Sequence, residues 1–141
     1  MRKAAFIFAA LAVAAAFAET TRSAYVVIVH PATSVSRLDR KFVEEIFLRR
    51  VTRWPDDTPI RPVDLGPDAR ARIRFSEDVL SRSVASVRSY WQQRIFSGQG
   101  IPPPELPDDA AVVSYVLSHP GAIGYVAAGA ALNGAKALEV N

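Results

Sequence analysis

Ala24 to His30 reads AYVVIVH and Ala122 to Val126 reads AIGYV. Each is an unbroken apolar run, rich in residues that favour strands and with no polar alternation. A strand of this pattern buries both of its faces, so its sheet must be covered on both sides. The boundaries are sharp: Pro31 closes the first run, and Pro120-Gly121 stands immediately before the second. Pro120 disfavours helical geometry at His119, and Gly121 reaches backbone angles closed to other residues. A helix is therefore expected to stop there so that AIGYV can enter the sheet.

Between and after the runs lie segments of helical period. In the first, Phe42, Val43, Ile46 and Phe47 share a face opposite Lys41, Glu44, Glu45 and Arg49, with Ser36 as the expected cap and Asp39 in the first turn. GPDARARIRFSEDVL places Pro67 at a first helical position, with Ile73, Phe75, Val79 and Leu80 as its apolar set. SVASVRSYWQQRIF turns Val84, Val87, Tyr90, Trp91, Ile95 and Phe96 inward and ends at Ser97-Gly98. Asp108 caps DAAVVSYVLSH. Ile60 to Leu65 reads as a second strand that Pro62 confines to an edge or to its own start, and Ala135 to Val140 as a fourth. The expected class is α/β, a small mixed sheet flanked by helices.

The N-terminus has the form of a secretory signal: Arg2 and Lys3, an apolar stretch, then Ala16-Phe17-Ala18 as a cleavage site. The stretch falls short of a bilayer span, and no later segment is long and apolar enough to be one. Residues 1–18 are read as signal peptide and 19–141 as one domain, placed in the periplasm. Removing Arg2 and Lys3 takes the 17 Lys and Arg to 15, against 14 Asp and Glu. So small a net charge gives little pull on nucleic acid or membrane surfaces. The sequence has no cysteine, which excludes disulfides, thiolate metal sites and an N-terminal lipid anchor on cysteine.

Ligands of α/β sheets bind beyond the carboxyl ends of strands, often on helix N-termini. Three places answer that description. The loop after the first strand carries Thr33 and Ser34. The turn after the second strand runs from Asp64 to Arg72, with Arg70, Arg72 and Arg74 at the following helix. The Pro120-Gly121 junction is the third. Hydroxyls, amides and guanidinium groups together suit an oxyanion. Catalysis finds less support: there is no nucleophile elbow, HExxH or metal-ligand cluster, and His30 and His119 both sit at element ends. No cofactor is called for, and the expected protein is not an enzyme.

VEEIFLRRVTRWPDDTPIRPVDL, YWQQRIFSGQG and VVSYVLSHPGAIGYV, in that order, resemble small exported proteins related to phosphate-transporter substrate-binding proteins. These belong to the class II periplasmic-binding-protein superfamily, and the likeness runs from about Ala24 to Val140. It implies a periplasmic-binding-protein-like single lobe, a reduced member about half the size of a full two-lobed binder. It also implies phosphate or a similar oxyanion as ligand, with an inner-membrane ATP-driven permease as partner. Full phosphate binders carry a Ser-Gly-Thr signature at the helix after the second strand, followed by Arg. Here Ala69-Arg70-Ala71 stands at the signature and Arg72 at the Arg. The ligand residues the resemblance and the rule together suggest are Thr33, Ser34, Asp64, Arg70 and Arg72. The rival expectation is an interaction module that binds no small ligand and docks on a sensor protein or a transport component through Trp54 or the proline loop.

Overall fold

The computed structural model describes residues 23–141. The expected signal peptide, residues 1–18, lies outside them. The chain runs β1 (Tyr25–Val29), β2 (Arg37–Leu38), α1 (Arg40–Phe47), β3 (Arg61–Pro62), β4 (Asp64–Leu65), α2 (Arg70–Asp78), α3 (Val84–Phe96), β5 (Glu105–Leu106), α4 (Asp109–Ser118), β6 (Ala122–Ala127) and β7 (Lys136–Val140).

Five strands form one sheet in the order β2-β7-β1-β6-β3, and β4 and β5 pair separately. β1 is antiparallel to both its neighbours, from Tyr25 opposite Ala127 to Val29 opposite Ile123, while β2 is parallel to β7 and β3 to β6. The four outer strands therefore point one way and β1 alone points the other.

The two continuous apolar runs are the central strands, and helices cover both their faces. Side chains alternate along β6, so Gly124 and Tyr125 look to opposite sides. On one side α4 presses close: a Cβ on Gly124 would sit 2.8 Å from Val112 Cγ1. On the other, the Tyr125 ring stacks on Phe75 of α2 at 4.0 Å, and Phe75 meets Phe47 of α1 edge-on at 4.8 Å. This is the mixed α/β architecture the sequence implies.

Several local expectations change. Asp39, not Ser36, caps α1, its carboxylate accepting from Phe42 N at 2.7 Å, because Ser36 is drawn into the sheet, its carbonyl accepting from Glu139 N at 3.0 Å. Ile60 to Leu65 is not one strand: Arg61–Pro62 joins the edge of the large sheet and Asp64–Leu65 turns away to β5. Pro62 does occupy an edge strand. Pro67 falls before α2, in the turn that Ala69 ends. Ile73, Ile95 and Phe96, all expected inside, are exposed, Phe96 by 95%. α3 packs mainly on α2, and the described residues leave its last turn largely uncovered. Asp108 caps α4 as expected, through Ala111 N at 2.8 Å.

Gly121 joins the Trp54 turn to the sheet. Its φ is +86°, and a Cβ there would overlap the Pro59 carbonyl. Its own carbonyl accepts from Trp54 Nε1 at 3.0 Å and from Arg61 N at 3.0 Å. The Pro-Gly break thus ends α4, starts β6 and anchors the buried Trp54 indole, which is not an exposed docking residue.

Candidate functional site

The reversal of β1 decides where the expected ligand residues go. The loop after β1 lies at the opposite end of the sheet from the carboxyl ends of β6 and β7, about 17 Å away at a strand's usual rise. Thr33 and Ser34 line a small cleft of about 100 Å3 there, with His30, Trp54, Pro120 and Gly121. The Thr33 carbonyl accepts from Lys136 Nζ at 2.9 Å and its N–H donates to the His30 carbonyl at 2.9 Å, so this loop is held by turn contacts. His30 Nδ1 accepts from Ala32 N at 3.0 Å, and His119 Nδ1 pairs with the Tyr115 carbonyl at 2.9 Å. Both histidines serve their own element ends.

At the other end of the sheet is a larger depression, a basin of about 790 Å3. Ala127 and Ala128, where β6 ends, form part of its wall, with Val140 of β7 and Tyr25 at the start of β1. Arg40 opens α1, Arg70 opens α2, and Arg74 follows one turn later; all three line the basin. Arg74 lies 3.7 Å from Glu77, whereas Arg40 and Arg70 form no ion pair among the described residues. Asp78 is the acidic member of the wall. Burial first, and then Asp78, push the Tyr25 phenol above its ordinary pKa, so it stays a neutral hydroxyl at physiological pH.

The helix starts differ in one respect that matters for anions. Asp39, Ser83 and Asp108 cap α1, α3 and α4 with side-chain acceptors, but Ala69 gives α2 none. The first-turn N–H groups of α2 thus lack the side-chain acceptor that such groups ordinarily find. Alanine stands at the cap, at the first position of the signature noted in the sequence, and leaves this helix end without a side-chain acceptor.

Asp64 and Arg72 come together, but away from the basin. Arg72 is 4% exposed, and its Nη1 donates to the Leu65 carbonyl at 2.7 Å and to Glu105 Oε1 at 3.4 Å, 3.9 Å from Asp64 Oδ2. The Tyr125 hydroxyl donates to Asp64 Oδ1 at 2.7 Å. Desolvation pushes the Asp64 carboxyl up to about 6, against the opposing pull of Arg72 and of the Tyr125 hydrogen bond. Of the five expected residues, the structure therefore unites Thr33 with Ser34 and Asp64 with Arg72, and leaves Arg70 at the basin. Arg74, read in the sequence beside Arg70 at the helix start, lines the basin too, and Arg40 is its unforeseen member. The signal for Arg40 was its place beside a helix start, equivalent to that of Arg70.

A five-stranded mixed sheet with helix starts gathered at its carboxyl end, around an arginine-lined basin, is the architecture of a ligand-binding α/β lobe. Residues 8–140 match a family described as a PBP superfamily domain, and the chain belongs to that family. Among solved structures it is similar to a phosphate ABC transporter substrate-binding protein with bound phosphate from Clostridium perfringens, at 19% identity and TM-score 0.66, covering 83% of this chain and 44% of the other. An ABC-type phosphate transport receptor from Vibrio cholerae gives 18% identity and 0.61, covering 83% and 46%. PstS from Borrelia burgdorferi gives 17% and 0.59, covering 84% and 47%. The chain thus spans less than half the length of each. No curated protein matches it. No helix among the described residues is long and apolar enough to cross a membrane.

Proposed function

We propose that the protein is a non-enzymatic solute-binding protein that takes phosphate or a similar oxyanion in the basin at the start of α2. The observation that carries this reading is the meeting of Arg40, Arg70 and Arg74, from two helix starts, around one depression. The uncapped first turn of α2 adds amide donors and the positive end of a helix dipole. The Tyr25 hydroxyl and the Arg70 guanidinium supply further donors. The Clostridium perfringens and Vibrio cholerae relatives are described as phosphate transport proteins, which supports the same ligand class.

Within this reading the protein acts outside the inner membrane, after loss of residues 1–18, and hands its anion to a permease or presents it to a sensor. Thr33, Ser34, Asp64 and Arg72 then support the lobe, and Arg70 is the expected ligand residue that contacts the anion. Calorimetric titration of the protein with inorganic phosphate tests the proposal: saturable heat that Arg40→Ala weakens supports it, and no heat up to about 10 mM, near the limit of useful affinity, overturns it.

One observation favours the interaction-module reading. Ile95, Phe96 and Ile101 are 51%, 95% and 68% exposed around the end of α3. A partner would dock there and not at Trp54.

A further inference from the structure

The charge that nearly cancels over the whole chain does not cancel around α3. From Ser81 to Pro104 the sequence holds Arg82, Arg88 and Arg94 and no acidic residue. None of the three forms an ion pair among the described residues. Arg82 and Arg94 lie beside the Tyr90 ring, their Cζ atoms 5.1 Å and 5.2 Å from its centroid, an attraction that places them without neutralising them. The acids nearest in position are already engaged: Glu45 pairs with Arg50, itself 6.0 Å from the same ring, and Glu105 pairs with Arg72.

The end of α3 joins this charge to an apolar tip. Ile95 and Ile101 are exposed, and Phe96 almost wholly so. A helix end ordinarily carries carbonyls that depend on water. Here the Gln93 carbonyl accepts from Ser97 N at 3.1 Å and Ser97 Oγ at 2.9 Å, that of Ile95 from Gly98 N at 3.1 Å, and that of Arg94 from Gln99 N at 2.8 Å. Pro102, Pro103 and Pro104 follow Ile101 and have no N–H to leave unpaired. The tip can therefore leave water with little loss of backbone hydrogen bonding.

A second copy of the chain does not suit this surface, because it would set arginines against arginines. A protein partner would have to supply a pocket for the protruding ring, whereas a bilayer admits such a ring without one. Exposed aromatic and aliphatic side chains backed by basic ones suit the interface of an anionic membrane. We propose that the end of α3 docks on an anionic phospholipid surface, with Phe96 and Ile101 entering the headgroup layer and Arg82, Arg88 and Arg94 meeting lipid phosphates. Along the helix Arg94 stands about 3 Å and Arg88 about 12 Å behind Phe96, a spacing that long arginine side chains span to reach headgroup level. This contact is separate from the anion basin and holds whether or not the basin takes phosphate.

The sequence has no cysteine, so one introduced thiol labels one position. The apolar N-terminal stretch can bind vesicles by itself, so the readout belongs at the tip. The test uses the full chain carrying Gln99→Cys with an environment-sensitive nitrobenzoxadiazole label. It is mixed with vesicles of phosphatidylcholine containing phosphatidylglycerol, or of phosphatidylcholine alone. The label is expected to brighten and shift to the blue with the anionic vesicles, and the same label at Ser114→Cys, an exposed position of α4, to stay unchanged. Adding Phe96→Ser is expected to weaken the response about tenfold or more without lowering Tm, and Arg88→Gln to weaken it about fivefold at low salt. No shift at position 99 overturns the proposal and leaves the tip to a protein partner. An equal response to phosphatidylcholine alone, an equal response at position 114 or indifference to Phe96→Ser overturns it as well.

Discussion

Arg72 Nη1 lies 3.9 Å from Asp64 Oδ2, with both side chains less than a tenth exposed, while Arg70, two residues earlier, stands exposed at the basin. Two neighbouring arginines of one helix start, Arg70 and Arg72, are thus given opposite tasks. A helix turns about 100° per residue, so two residues apart means nearly opposite faces. Arg72 holds the fold and Arg70 is the one offered to a ligand.

Removing one partner from a buried ion pair leaves the other charge uncompensated. Arg72→Ala is expected to cost about 3–5 kcal/mol of stability, read from urea unfolding. A loss below about 1 kcal/mol would show that Leu65, Asp64 and Glu105 do not depend on it.

Asp64 imposes a pH dependence of defined sign. Burial raises its carboxyl from the ordinary value of 3.8 to about 6, so the folded state holds this proton more tightly than the unfolded chain does. Its contribution to stability therefore declines as pH rises from about 4 to about 6 and is level above that. Asp64→Asn keeps an acceptor for Tyr125 but cannot ionise. The stability of this variant relative to wild type is expected to increase across that window, measured by unfolding at a series of pH values. A difference that falls with pH would contradict the assignment.

Gly121→Ala forces a Cβ toward the Pro59 carbonyl at a positive φ. Strain and overpacking together set an expected loss of about 2–4 kcal/mol, visible as a lowered Tm. The Trp54 Nε1 bond to Gly121 should loosen with it, so the indole emission should shift toward that of an exposed tryptophan.

Phe96→Ser is expected to change stability by less than about 0.5 kcal/mol, since the ring is 95% exposed. A large loss would place the ring in the core, where helical periodicity had put it.

The features legible in the sequence are those set by short stretches of chain. Continuous apolar runs gave β1 and β6, and the acid at position 108 gave the cap of α4. Pro62 reached its edge strand because its missing N–H excludes it from a central one. Strand direction is a property of pairing and leaves no mark in AYVVIVH, so the reversal of β1, which separates Thr33 and Ser34 from Arg70, was not readable. The exposure of Ile95 and Phe96 was hidden for a related reason: a periodic face is buried only as far as a neighbouring element extends, and the described residues leave the end of α3 largely uncovered. Asp64 and Arg72 were each read as ligand residues of one turn, but their burial beside Tyr125 depends on a contact between residues 61 positions apart.

The central claim is that the basin, with Arg70 at its edge, is where an anion binds. Phosphate titration of wild type and Arg70→Ala, at low and at high salt, tests it most directly. The expected result is saturable binding that Arg70→Ala weakens about tenfold or more and that salt diminishes, since the guanidinium groups are exposed and screened. Binding that is unaltered by Arg70→Ala, or that Arg72→Lys abolishes while Arg70→Ala leaves it intact, would contradict the assignment.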